Sequence, residues 1–267
     1  MLKRLLFLVG ILLSSGAVAD DSVARILLPL GFFTKQPGAF GSLWTSSITG
    51  RTEQLAVTIT QVPFGGGCIS SCVTSAFSTF RSDVGSANIN QGAFVYVLPG
   101  SAVDTVSFTL RIQDESRQAL TWGTTIPVVR ERDVRSGTLE LLDVPLDARF
   151  RVALRIYDFD SVRDTAVRVR IAYPDPPYDS NPVVDVILPF IRPSQQSSTE
   201  FPAVPSNIFI GNIYDRFPEL MASAPPYIAG AARLRIQIDP ATPGLRFWAF
   251  ASVTNDDTQH VTVITPK

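Results

Sequence analysis

The sequence predicts an all-β protein made of antiparallel β-sandwiches behind a secretory signal. Three observations carry this. Apolar and polar residues alternate with period two in segment after segment. No stretch keeps a convincing helical period. The 17 glycines and 20 prolines are spread through the whole chain, as expected of many strands joined by turns.

The first nineteen residues divide into a charged start (Lys3, Arg4), an apolar run from Leu5 to Leu13, and a small-residue exit ending in Ala17-x-Ala19. This pattern is a secretory signal, with cleavage expected after Ala19. The apolar run is too short for a membrane anchor, which needs about 20 apolar residues. No cysteine follows the cleavage site, so no lipid anchor is expected, and no later segment is apolar for long enough to span a bilayer. Without Lys3 and Arg4 the chain has 21 basic residues against 24 acidic ones, a net charge of −3. That balance argues against nucleic acid, which demands a basic face, and against anionic membrane surfaces. Arginine carries the positive charge; Lys35 and Lys267 are the lysines beyond the signal.

Period-two strands are then read in order. Arg25 to Leu30 opens the first unit. In Ser107 to Ile112, Phe108, Leu110 and Ile112 alternate with Ser107, Thr109 and Arg111. Thr121 to Val129 closes the unit. Glu131 to Gly137 (ERDVRSG) is charged and poor in apolar residues, so it reads as a linker. The second unit starts near Gly137. Val152, Leu154 and Ile156 share one face of Arg151 to Tyr157; Val167, Val169 and Ile171 share one face of the next strand; Leu234, Ile236 and Ile238 do so in Arg233 to Ile238. The last strands lie within Leu245 to Pro266. Ile213 to Ala222 is the best helix candidate, limited by Pro218 to a turn or two. Gly65 to Gly92, Pro174 to Pro182 and Pro193 to Pro205 read as loops.

The chain therefore divides into a signal peptide (1–19), a first β-sandwich (24–131) and a second (136–267), each of sandwich size. Both units end in a strand that runs into a proline, Ile126-Pro127 in the first and Ile264-x-Pro266 in the second. The motifs PGAFGSLW, GTTIPVV, FRVALRIYDFD and LRFWAFASVTNDDTQHVTVITP resemble tandem immunoglobulin-like β-sandwich repeats of secreted bacterial proteins. In such repeats a strand of the R-x-x-L-x-I-x-D kind, here Arg151 to Asp158, opens the unit. A strand like Ala249 to Asn255 and a short I-x-P strand close it. The resemblance covers most of residues 24–267, and the closing motif is its most specific part. It implies two tandem immunoglobulin-like sandwiches and secretion, with no assigned activity. The first unit departs from the pattern in its long cysteine-bearing loop.

Cys68 and Cys72 are the only cysteines, spaced C-x3-C. In an oxidising compartment the expectation is a disulfide between them, contributing about 2 kcal/mol because the ring is small. A metal site would need further ligands, and a redox role would show C-x-x-C.

The catalytic inventory is thin. His260 is the only histidine and alternates with Val261 and Val263, so it is expected to face solvent. A nucleophile relay needs a histidine beside Ser or Cys and an orienting acid, and no G-x-S-x-G elbow occurs. Asp158, Asp160 and Asp164 are the candidates for calcium ligation, since alternate aspartates supply oxygens. The glycine and distal glutamate of an EF-hand loop are missing, so a polar hairpin connection is the preferred reading. Asn255, Asp256 and Asp257 are weighed the same way. Paired carboxylates for glycoside hydrolysis need a cleft between them, which sandwiches with short turns rarely build. Trp44, Trp122 and Trp248 are candidates for stacking on sugars, against core or inter-unit packing as the preferred reading. Phe247 and Ala249 share one face of their strand, Trp248 and Phe250 the other. One face is thus expected on the sandwich core and the other on a neighbour. No cofactor is expected.

The function expected is a non-catalytic secreted or surface protein with a structural or adhesive role, whose partner is a surface or matrix component, glycan among them. A carbohydrate-binding accessory module is the alternative, and an unrecognised hydrolase the least favoured. Contact is expected in the long loop from Gly65 to Gly92 and in the Pro-rich stretch from Pro193 to Pro205, because loops on a rigid scaffold carry binding.

Overall fold

The structure, a computed structural model, describes residues 23–30, 35–53, 56–62, 72–75, 79–82, 94–117, 123–161, 164–173, 182–191, 205–223 and 233–267. The signal peptide, Cys68, Trp122 and most of the two stretches Pro174 to Pro182 and Pro193 to Pro205 lie outside these residues.

The first unit contains β1 (Val23–Leu28), β2 (Gln36–Pro37), β3 (Leu43–Thr52), β4 (Ala56–Val62), β5 (Cys72–Ser75), β6 (Thr79–Ser82), β7 (Phe94–Pro99), β8 (Val106–Asp114), β9 (Thr124–Ile126) and β10 (Val129–Arg130). The second contains β11 (Leu139–Pro145), β12 (Phe150–Asp158), β13 (Ala166–Ala172), β14 (Val184–Pro189), β15 (Ser206–Ile210), β16 (Arg233–Pro240), β17 (Phe247–Asn255) and β18 (Val261–Ile264). Two one-turn helices, α1 (Ile213–Arg216) and α2 (Glu219–Ala222), are split at Phe217 and Pro218, as the proline predicts.

The strands form four antiparallel sheets. Sheet I has the order β2-β3-β8-β9, with β6 also on β3; sheet II is β10-β1-β7-β4-β5; sheet III is β15-β12-β17-β18; sheet IV is β11-β16-β13-β14. The two units repeat one topology. Strands β1-β7-β4-β5 correspond in order to β11-β16-β13-β14, and β6-β3-β8-β9 to β15-β12-β17-β18. Immunoglobulin sandwiches pair their second strand with the fifth and the third with the sixth, with the first strand beside the second and the last beside the sixth. In the second unit β12·β15 and β13·β16 keep those relations, while β11 lies beside β16 and β17 beside β12. The first and seventh strands of the unit have thus exchanged sheets, and the first unit does the same.

Register assigns the faces. Val57, Ile59, Ile26 and Tyr96 point into the first sandwich, where the Tyr96 ring lies 4.9 Å from Phe108. Leu139, Leu141, Val167, Val169, Ile236 and Ile238 from sheet IV meet Val152, Leu154, Ile156, Phe247 and Ala249 from sheet III in the second. The opposite face of sheet II carries Arg25, Leu27, Val95, Val97 and Val129. The opposite face of sheet III carries Tyr157, Trp248 and Phe250. Both faces are apolar, and these residues, Arg25 apart, belong to one continuous core. The sheets therefore stack in the order I, II, III, IV. The outward faces of the end sheets are wet: Thr49, Arg51, Ser107 and Thr109 on sheet I, Arg168 and Asp185 on sheet IV. Alternation thus closes the stack at both ends.

One sequence expectation needs correction. The stretch Gly65 to Gly92 is not all loop, because it contains β5 and β6. Their four-residue segments are too short to show a period; β5 pairs with the preceding strand β4, and β6 with β3. Only the backbone of Cys72 is described; it opens β5 opposite Ile59. The linker Glu131 to Gly137 is ordered where it joins the two units. It begins with a 3-10 turn, and Arg135 exchanges two backbone hydrogen bonds with Phe247, at 3.1 and 2.8 Å.

Candidate functional site

The aspartates between β12 and β13 do not converge. Asp158, 1% exposed, uses Oδ1 to accept from the backbone N–H groups of Asp160 (3.1 Å) and Ser161 (3.0 Å), and Oδ2 to accept from the Thr165 hydroxyl (2.5 Å). These bonds hold the turn through Ser161, whose φ is 49°. Asp160 points instead to two arginines. Among the described residues no group of three or more His, Cys, Asp or Glu side chains is placed to hold a metal ion. Asn255 closes β17 in the same manner, accepting from the N–H groups of Asp257 and Thr258, both at 2.9 Å. Asp114 does so at the corresponding end of β8, where it accepts from Ser116. His260 is exposed.

The joint between the sandwiches is built from residues distant in sequence. Arg25 on β1 donates from Nε and Nη2 to the two carboxylate oxygens of Glu131 (3.1 and 2.6 Å), and from Nη2 to Asp160 (2.9 Å). Arg246, just before β17, grips Asp160 through Nε (2.8 Å) and Nη2 (2.6 Å) and reaches Glu131 at 3.0 Å. The buried ring of Phe159 lies 4.2 Å from the Arg25 guanidinium and 5.6 Å from that of Arg246. Partial burial pushes the Glu131 and Asp160 carboxyls up, but the paired guanidinium hydrogen bonds outweigh it and hold both below their ordinary values. Beside this network the Tyr157 hydroxyl donates to the Pro29 carbonyl at the end of β1. Full burial pushes that phenol up to about 12, against the opposing pull of Arg155. Tyr214 donates to the carbonyl of Pro145, the last residue of β11, much as Tyr157 does to Pro29 just after β1. A cavity of about 370 Å³ opens at the joint beside Trp248. Its charged residues Asp133, Arg135 and Lys267 are exposed at the rim, while Trp248 is 7% exposed and serves the joint.

Among the described residues two phenylalanine rings are left largely uncovered. The PGAFG turn between β2 and β3 puts Phe40 at φ 55°, ψ 33°, a left-handed conformation rare for a bulky residue. The turn is fixed by Gly38 N–H to Ser42 O (2.8 Å), Ser42 N–H to Ala39 O (3.1 Å) and the Ser42 hydroxyl to Ala39 O (2.8 Å). Gly38 is required here, since a Cβ would come within 2.5 Å of the Trp44 indole nitrogen. Trp44 thus supports the turn from below. Arg117 Nη2 donates to the Phe40 carbonyl at 2.9 Å. The ring itself is 63% exposed, with the Arg151 guanidinium 5.6 Å from its centre. Phe209 on the edge strand β15 is 54% exposed, and the Arg155 guanidinium lies 4.0 Å from its ring. Arg155 Nε is sealed from solvent without a hydrogen-bond acceptor, and burial lowers the pKa of this guanidinium.

Neither the ionic network nor the exposed rings were found from the sequence. Arg25, Glu131, Asp160 and Arg246 share no local pattern. Phe40 did carry a signal, an aromatic residue set between the glycines of a turn. No protein-family model, curated protein or solved structure matches the chain.

Proposed function

We propose that the chain is a non-catalytic secreted or cell-surface protein, with Cys68 and Cys72 bridged, whose role is structural or adhesive. The observation that carries the reading is the joint, where two sandwiches share a buried aromatic contact and a partly buried ionic one and present wet outer sheets. Such a body is suited to holding contact residues at fixed separation. The charges support the same reading. Asp114, Glu131, Asp147, Asp160, Asp185 and Asp239 are all held below their ordinary pKa by arginine, threonine, glutamine, serine or backbone partners. A carboxylic acid that donates a proton in catalysis needs the opposite shift.

The test has two arms run on the chain lacking residues 1–19. It is added back to the cells that make it, and it is offered chromogenic glycosides, esters and peptides. Saturable attachment without turnover is the expected result. Turnover abolished by replacing one carboxylate would overturn the reading. The second reading, a carbohydrate-binding accessory module, is favoured by Phe40 and Phe209, two exposed rings each backed by an arginine.

A further inference from the structure

We propose that Phe40 and Phe209 form a two-ring platform for an extended neutral saccharide, an assignment that rests on the carbohydrate-binding reading above. The two rings are related through β12. Arg151 and Arg155 are four residues apart on the same face of that strand, which separates them by roughly 13 Å. Phe40 lies at the first and Phe209 at the second. The backbone positions that carry the two guanidinia are thus set apart by about the length of a short oligosaccharide rather than of a single sugar. Each ring has a guanidinium beside it, which limits its freedom to swing, and each leaves more than half of its residue surface to solvent.

Phe40 is the sharper observation. A glycine or asparagine would adopt its left-handed backbone without strain. Folding also gains little from a ring left in water. A position that is both strained and exposed is accounted for by a contact outside the chain. The chemistry beside it favours a neutral, hydroxyl-bearing ligand. Beside Phe40, Arg151 is matched by Asp256 at 2.6 Å, Arg117 by Asp114 at 2.8 Å and Lys35 by Glu115 at 2.5 Å, so these three pairs carry no net charge, while the Arg155 guanidinium beside Phe209 is buried. Arg151 and Asp256, both partly exposed, supply donors and acceptors beside the first ring, and the buried Gln259 side-chain oxygen accepts from Arg151 Nη2 at 3.0 Å and holds that guanidinium in place.

The experiment is isothermal titration of the exported chain with cellohexaose, chitohexaose and maltohexaose, with phosphatidylcholine vesicles in parallel. Wild type is expected to bind at least one hexaose. Phe40→Asn and Phe209→Leu should each weaken that binding about tenfold or more, as loss of a central aromatic contact does. Melting temperature separates binding from folding. Phe40→Asn should melt at or above wild type because its backbone strain is relieved, and Phe209→Leu keeps an apolar cover over Arg155. Three results would overturn the proposal: no hexaose binds, binding survives both substitutions, or the rings are needed for vesicles and not for sugars. If the sugars fail while attachment to cells persists, the adhesive role stands and this site does not.

Discussion

Glu131 and Asp160 each accept from both Arg25 and Arg246, so no member of this quartet is paired with a single partner. Glu131→Gln keeps the shape but replaces the charge, and should cost about 1 kcal/mol for a partly exposed network. The pH dependence has a definite sign. Both carboxyls titrate below their unfolded values, so their contribution is complete above about pH 4.5 and is lost as pH falls toward the folded pKa values. Melting curves of wild type and Glu131→Gln should differ at pH 7 and converge below pH 4; a constant gap across that range would contradict the pairing. Tyr157 makes a separate test. Its phenol remains protonated through neutral pH and donates to Pro29, so Tyr157→Phe leaves a buried carbonyl unpaired. Chemical denaturation should show a loss of about 1–3 kcal/mol. A neutral Tyr157→Phe would mean that water already serves the Pro29 carbonyl.

At the scale of elements, β17 links local pattern to assembly. Its residues Phe247 to Ala251 are all buried, alternately on the second core and on the joint. Trp248→Ala should therefore loosen the joint while leaving the second sandwich packed, at about 3–5 kcal/mol. Hydrogen exchange would locate the effect: faster exchange in β1, β12 and β17 is expected, with β13 and β16 unchanged. Exchange rising equally through sheet IV would contradict the division of faces. This double-sided strand was legible because its apolar run breaks the usual alternation, as was the helix split at Pro218. The order of strands was not, because pairing such as β11 with β16 joins residues about a hundred positions apart and leaves no local trace. β5 and β6 were missed for a different reason: four residues each are too few to show a period. The β11 edge shows a further device. A register shift between Leu141 and Val144, with exposed Asp143 at φ 61°, bends this edge strand away from regular pairing. The loops in which the sequence places contact, Gly65 to Gly92 and Pro193 to Pro205, lie largely outside the described residues.

The whole molecule is one body made by repeating a single topology, with apolar sheets turned inward and polar sheets outward. Its proposed role as a rigid contact protein depends on the two sandwiches moving together. The two interior faces of the joint, the Arg25–Glu131–Asp160–Arg246 network and the Arg135–Phe247 bridge all act across the same boundary. Differential scanning calorimetry of the chain from Asp20 to Lys267 at pH 7 tests this most directly. One transition is predicted, with the calorimetric enthalpy equal to the van't Hoff enthalpy, as for a single cooperative unit. Two resolved transitions, each with its own matching pair of enthalpies, would contradict it and make the units independent beads on a chain.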